Sequence, residues 1–489
     1  MLFTTIDFII FFIMVLGIVF AIRYRKFQHI FLLIASYFFF YYSSNYLITL
    51  LIMSTILDFY VGKAIWSSKN ITKKKILLSI SLAGNLGLLG FFKYADFAID
   101  QFNILGRYID LSSELPSLDL ILPIGISFYT FQTISYTVDI YRGKLEPSKS
   151  LREFALFVAF FPQLVAGPIV RASTFLPQLR EKISNSAGNR LRLITIENKN
   201  LKFGITLMAF GFLKKMFFAD NIAPMVNMAF DNPIGLESFT IILATIGFGI
   251  QIYGDFSGYS DIAIGAALIL GFKLPLNFNK PYFAISPSDF WKRWHISLSS
   301  WLRDYLYIPL GGNRKSSAQT YCNLFAVMIL GGLWHGAAVN FIIWGTLHGL
   351  YLAIHKMLLR IFPKISQSFF FKTKIGKIFS VLVTQYFVFL AWIPFRVHDI
   401  EGIVYSMNKF ILLDFATSET IEFMAINKFP LLLIFLFFVL NFLSYRNGNL
   451  QKKISESRIL FWFLFLVGVF SLIVFFYDGN PDNFIYFQF

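Results

Sequence analysis

"ILFWFLFLVGVFSLIVFF" runs from Ile459 to Phe476 without one charged side chain. At about 1.5 Å per residue, a helix of this length approaches the roughly 30 Å hydrocarbon core of a bilayer. The run therefore reads as a membrane span. The same argument applies to Phe8–Phe20, Asn45–Phe59, Ile76–Phe92, Phe203–Phe218, Phe239–Ile252, Tyr321–Trp334, Val339–Ile354, Ile378–Ile393 and Leu431–Phe442, some of which gain length from their flanks. In lipid a helix satisfies its own backbone hydrogen bonds, which an open sheet cannot do. The expected fold class is an all-α polytopic membrane protein, with about eleven or twelve spans plus re-entrant and interfacial helices.

Composition agrees. The chain is 56% hydrophobic and only 14% charged, against about 25% charged in a soluble domain. Its net charge of +16 would suggest nucleic acid in a soluble protein. Here the positive-inside rule accounts for it, and no nucleic-acid partner is expected. Basic residues gather at Arg23–Lys26, Lys69–Lys75, Arg180–Lys202, Lys356–Lys374 and Arg446–Arg458. The stretches Asp96–Phe102, Asp110–Asp119 and Tyr477–Phe489 are neutral or acidic. This places the basic loops in the cytoplasm and both termini outside. Met1–Phe20 lacks a basic start and a small-residue cleavage site, so it is expected to be a retained span.

No soluble domain and no internal repeat is apparent, which predicts a single membrane domain over 1–489. The longest hydrophilic stretch, Pro177–Leu201, is expected to be a cytoplasmic loop. "FALFVAFFPQLVAGPIVR" (Phe154–Arg171) is apolar but carries Pro162, Gly167 and Pro168 between basic flanks. A re-entrant hairpin fits this better than a proline-kinked span. Broken backbone at membrane depth is tolerated where protein buries it or a cavity hydrates it.

"KPYFAISPSDFWKRWHISLSSWLRDYLYIPLGGNRK" (Lys280–Lys315) predicts a helix lying in the cytoplasmic interface. Ser286 caps it, Pro287 opens it and Asp289 closes a capping box. Pro309 and Gly311–Gly312 end it. Phe290, Trp294, Leu298, Trp301, Leu302 and Tyr305 recur at helical spacing, with tryptophans expected at headgroup depth. Lys292, His295, Ser299 and Arg303 share the opposite face. That face meets either cytosol or a wet cavity.

Intramembrane ionisable groups are functional-site hypotheses. Among the six histidines, His29, His355 and His398 lie near basic ground or span ends and are expected to be solvated. "GGLWHGAAVNFIIWGTLHG" (Gly331–Gly349) holds the intramembrane pair, His335 and His348. On one continuous helix they would point about 140° apart, so one small cavity could not hold both without a break. Gly331, Gly332 and Gly336 would let a backbone or a substrate approach His335. His335 is thus the candidate general base, and His348 a structural residue bonded across helices. A neutral buried imidazole suits activation of a substrate hydroxyl. "QIYGDFSGYSDIAIG" (Gln251–Gly265) is a polar island. Asp255 or Ser257 either caps a helix or walls the same cavity. Cys322, the one cysteine, cannot form an internal disulfide or a cysteine-rich metal site, and is expected to be a small core hydrophobe. No metal site and no bound cofactor are expected.

Five of these stretches, in order, resemble one family: "LPIGISFYTFQTISYTVDIYRG" (Leu122–Gly143), "FFPQLVAGPIVRASTFLPQL" (Phe160–Leu179), "YGDFSGYSDIAIG" (Tyr253–Gly265), "WKRWHISLSSWLRDYLYIPLGG" (Trp291–Gly312) and "GGLWHGAAVNFIIWG" (Gly331–Gly345). They are similar to the bacterial membrane-bound O-acyltransferases, most of all the alginate-acetylating branch. The branches that D-alanylate teichoic acid and O-acetylate peptidoglycan are more distant. The motif-bearing core is about residues 122–351, flanked by peripheral spans 1–121 and 352–489.

The resemblance implies a helical bundle around a tunnel in the bacterial inner membrane, with two histidines at its narrow part, His335 and His295. It implies that an acyl group, expected to be acetyl, leaves a cytoplasmic thioester, either acetyl-CoA or a phosphopantetheine carrier. The group would pass to a hydroxyl on an exported polysaccharide or on a secreted or membrane-anchored partner acyltransferase. Lys292, Arg293 and Arg303 would attract the anionic donor, with Ser299, Asp255, Asn340 and Trp334 further along the tunnel. D-alanyl transfer, a flippase of a lipid-linked intermediate, and a passive scaffold are the competing functions.

Overall fold

A computed structural model of the chain describes residues 1–110, 114–164, 167–184, 194, 196–364, 368–476 and 485. Among these, every regular element is helical. By length and composition, seven helical stretches can cross a membrane: Arg25–Ser67, Ile71–Tyr108, Ser238–Ile269, Val339–Ile361, Lys374–Arg396, Lys428–Asn447 and Ile459–Phe476. The first of them joins two helices, Arg25–Ser44 and Ile48–Ser67. Other apolar runs fold as shorter or interrupted helices. Ile6–Ala21 is one; Phe203–Phe218 crosses into a π-helical turn at Leu213–Ala219. The chain is a multi-pass membrane protein.

Backbone packing divides it into two compact units. The first comprises Met1–Met208 with Ile262–Pro275, the second Ala209–Asp261 with Leu276–Phe489. In the first unit a phenylalanine cluster joins the N-terminal helices to the Phe154–Arg171 stretch. Phe11 meets Phe161 edge-on at 5.2 Å, and Phe39 meets it at 5.7 Å. That stretch is broken, as its Pro and Gly predict. Helices Leu151–Ala159 and Phe161–Leu164 are too short to cross a bilayer, and their apolar side chains are buried in protein. Val165 and Ala166 lie outside the described residues.

A buried polar cluster sits nearby. Asp58 on helix Ile48–Ser67 accepts from Ser81 Oγ (2.6 Å) and Asn85 Nδ2 (2.8 Å) on helix Ile71–Tyr108. Asn85 Oδ1 accepts from Ser54 (2.6 Å) and from Thr133 (3.1 Å) on helix Ile126–Tyr141. Three helices are thus keyed by one closed hydrogen-bond network. His29, expected to be solvated, is buried in this unit.

The expected loop Pro177–Leu201 begins as helix, since Ala172–Ser184 is helical. Its middle, residues 185–193 and 195, lies outside the described residues. So does the tail Tyr477–Phe489 except Ile485.

In the second unit the expected interfacial helix starts as predicted. Ser286 Oγ accepts from Asp289 N–H (3.1 Å), and Asp289 Oδ2 accepts from Ile285 N–H (3.1 Å). It does not continue. Pro287–Trp291 ends in a turn, His295 takes a left-handed φ of +42°, and Ile296–Leu302 resumes before a π-helical turn at Arg303–Tyr307. The apolar face is correct: Phe290, Trp294, Leu298, Trp301 and Leu302 are all buried. The tryptophans Trp294 and Trp301 build protein core instead of meeting headgroups. The polar face is not one face, because the break turns His295 inward while Lys292 and Arg303 stay exposed.

A buried histidine pair as candidate active site

The stretch Gly331–Gly349 is a hairpin, not a helix. Helix Ser317–His335 ends at His335, residues 336–338 are extended or bent, and helix Val339–Ile361 returns. Glycine permits the tight return. A Cβ on Gly336 would overlap the Phe341 ring, and one on Gly332 would overlap the Phe341 carbonyl oxygen. At these two positions the room is taken by the returning backbone and ring, not by a substrate.

The break does what one helix could not. His335 and His348 now both contact one indole, with Trp344 5.0 Å from the first and 4.8 Å from the second, ring centre to ring centre. His335 is 3% exposed. Trp334 (5.1 Å) and Phe395 (5.3 Å) meet its imidazole edge-on as well. Phe395 comes from helix Lys374–Arg396, well outside the motif.

His295 arrives from the broken interfacial segment and is fully buried. Its ring centre lies 6.4 Å from that of His335, 5.8 Å from Trp334 and 4.6 Å from Phe256, edge-on. Burial lowers its pKa to about 3, so the ring is neutral at ordinary pH. Asn277 stands beside it: its Oδ1 lies 3.1 Å from His295 Nδ1 and accepts from Ser297 Oγ (2.8 Å) and Ser297 N–H (3.3 Å). Asn277 Nδ2 donates to Ser260 Oγ (3.0 Å), and Asn277 O accepts from Ile296 N–H (2.8 Å).

The polar island is no helix start. Asp255 and Ser257 lie in the middle of helix Ser238–Ile269, which removes the capping reading. Asp255 pairs with Lys215 (2.9 Å), which also pairs with Asp220 (2.7 Å); Lys215 and Asp255 are buried and Asp220 is half-buried. Asp255 Oδ2 further accepts from Ile485 N–H (2.7 Å). A buried lysine between two carboxylates keeps each charge compensated. The next residue along, Phe256, is the ring against His295.

The remaining candidates divide. Trp334 and Asn340 are buried. Neither amide atom of Asn340 has a hydrogen-bond partner among the described residues. Ser299 Oγ is spent on Trp294 O (3.1 Å). Arg293 pairs with Asp289 (2.9 Å) and the exposed Arg303 with Asp304 (2.7 Å). Lys292 is exposed. Two of these cations are thus already paired with carboxylates, and the third faces outward. His348 is boxed by Phe290, Trp291, Trp344 and Tyr351 at 4.8–6.0 Å. Rings hold it, and among the described residues no hydrogen bond crosses from another helix to it. Cys322 is exposed, not core. It lies thirteen residues before His335 on the same helix, about 20 Å along the axis.

Sequence reasoning missed Asn277, Lys215 and Phe395. Asn277 lies eighteen residues before His295 among other polar residues such as Asn279 and Lys280, and nothing in the sequence singles it out. Nothing in the sequence pairs Lys215 with Asp255 or Phe395 with His335.

Comparison with known proteins identifies the family. The sequence profile of the MBOAT, membrane-bound O-acyltransferase family matches residues 148–393, which include both histidines. A peptidoglycan O-acetyltransferase of Helicobacter pylori is 37% identical over 400 residues, covering 77% of this chain and 72% of that protein. A probable alginate O-acetylase AlgI of Pseudomonas aeruginosa is 36% identical over 445 residues, covering 88% and 80%. A teichoic acid D-alanyltransferase of Bacillus subtilis is 30% identical over 251 residues, covering 49% and 60%. The peptidoglycan relative thus stands level with the alginate one.

Proposed function

The chain belongs to the membrane-bound O-acyltransferase family and is a membrane-bound O-acyltransferase, and from that premise we propose that it carries acetyl from a cytoplasmic thioester to a hydroxyl acceptor outside the bacterial inner membrane. The observation that carries this reading is the buried pair of imidazoles, His335 and His295, brought to 6.4 Å from separate elements. The acceptor is an exported polysaccharide or a partner acyltransferase that modifies one.

In the proposed step His335 takes the acceptor O–H proton. The alkoxide oxygen attacks the thioester carbonyl carbon, the C–S bond breaks, and the proton returns to the thiolate. The products are an ester and a thiol. A neutral, buried imidazole is suited to this work, because it binds a proton only transiently. The aromatic walls exclude water that would otherwise hydrolyse the thioester. His295 either shares the proton or positions the donor. Acetyl is favoured over D-alanyl because the relatives named as O-acetylating match more of this chain, 77% and 88% against 49%.

The test is acyl transfer from acetyl-CoA, or from an acetylated phosphopantetheine carrier, in membranes containing the chain and its acceptor. Transfer should depend on His335. Full transfer by a folded His335→Ala variant would rule the mechanism out.

A further inference from the structure

The proposed reaction leaves His295 two roles, and the hydrogen bonds around Asn277 separate them. Asn277 Oδ1 receives a backbone N–H, that of Ser297. A backbone N–H can only donate, so the atom at that position is the amide oxygen, and the orientation of the Asn277 side chain follows. An amide oxygen can only accept. His295 Nδ1, 3.1 Å away, must therefore be the donor. In a neutral imidazole with its proton on Nδ1, Nε2 carries a lone pair and no hydrogen.

We infer that Asn277 is a positioning residue that holds His295 in the Nδ1–H form, so that His295 Nε2 accepts a proton or hydrogen bond and cannot donate one to a thioester carbonyl. His295 then belongs with His335 on the proton-accepting side of the reaction. The inference rests on the acyl-transfer reading above.

The backbone supports the same assignment. His295 sits at φ +42°, a left-handed conformation uncommon for a side-chain-bearing residue. Such conformations persist where surrounding contacts over-determine them, and they cluster at functional sites. Here Asn277 supplies those contacts: its carbonyl holds Ile296 N–H and its side-chain oxygen holds Ser297 N–H, on the two residues after the turn. Ser260 fixes the far side of the amide through Nδ2. One residue thus holds both the turn and the tautomer. Phe256 edge-on and Phe278 at 6.3 Å leave the ring little freedom to flip.

Two variants and one spectrum test this. In Asn277→Leu the acceptor is gone, and kcat should fall by about a hundredfold with donor KM unchanged. In Asn277→Asp the carboxylate still accepts from Nδ1–H and now favours the protonated ring. Activity should persist at alkaline pH while the acid limb of kcat moves up by roughly one to three pH units. A purely structural asparagine predicts instead that both variants lose stability and activity together, with the wild-type pH profile. Nitrogen NMR of ¹⁵N-histidine-labelled full-length chain, assigned with His295→Gln, should place the proton on Nδ1. A proton on Nε2, an unchanged kcat in folded Asn277→Leu, or an unshifted profile in Asn277→Asp would each overturn the inference. The spectrum needs no turnover. If it shows Nδ1–H while His335→Ala retains transfer, the proposed reaction has failed and the tautomer assignment stands.

Discussion

Asp58 and His335 are both ionisable, both buried, and both in helices of a membrane protein, yet their surroundings differ in kind. Around Asp58 hydrogen bonds from side chains of the first unit dominate: Ser81 and Asn85 donate to it, and Ser54 and Thr133 donate to Asn85. Around His335 rings crowd in: Trp334, Trp344 and Phe395 edge-on and, farther off, His295. A closed network specifies how helices pack and leaves nothing for a substrate. A wall of rings holds an imidazole by packing and edge-on contact. The proposed function assigns the chemistry to the second region.

The sharpest way to break this contrast is to truncate both residues. His335→Ala should cut transfer by about 10²–10⁴-fold while the protein still folds. Asp58→Ala should do the reverse. It removes the carboxylate that Ser81 Oγ and Asn85 Nδ2 both donate to, leaving them only Thr137 Oγ1 and Ser81 O, costs roughly 1–3 kcal/mol of stability, and lowers the melting temperature in detergent with kcat per folded molecule unchanged. A loss of kcat in Asp58→Ala comparable to that in His335→Ala would dissolve the distinction.

A second pair probes the hairpin. Gly336→Ala drives a methyl into the Phe341 ring and should destabilise by about 1–3 kcal/mol, shifting His335 with it. Gly87→Ala, where a Cβ would meet nothing within 4 Å, should leave the melting temperature within a degree or so of wild type. Equal effects at the two glycines would show that the close return of the backbone is not what the hairpin needs.

Acid stability offers a smaller effect. His295 has a pKa of about 3 in the fold against 6.5 for the free side chain. Between those values the unfolded chain binds the extra proton, so this residue lowers stability as pH falls through that window and costs nothing above it. His295→Asn should therefore lose less melting temperature than wild type between about pH 7 and pH 5. An equal or steeper loss would show that His295 is charged in the fold. Smallest of all, Cys322→Ser should change neither transfer nor stability, because the thiol is exposed and far along the helix from His335. A loss of transfer there would reinstate an acyl-cysteine intermediate.

The two buried regions also differ in how well the sequence announces them. Asp58 is a lone carboxylate in the apolar run Asn45–Phe59, visible but silent about its partners, which come from two other helices. His335 is announced by its glycines and by the family motif. At Gly332 and Gly336 the close approach belongs to the Phe341 backbone and ring, the first of the two occupants the glycines allowed. The helical wheel misplaced His295, because a wheel assumes continuous α-helix and the chain breaks at that residue. It likewise separated His335 from His348, which the hairpin folds around Trp344.

Composition and apolar run length were enough to determine the class, since lipid leaves a chain of this hydropathy no alternative to helices. Motifs in order were enough to determine the family. Which buried groups meet was decided only in three dimensions. Asn277 reaches His295, Lys215 reaches Asp255, and Phe395 reaches His335 across eighteen, forty and sixty residues of chain respectively. Periodicity describes one element at a time, whereas a site is made where elements cross and where helices stop.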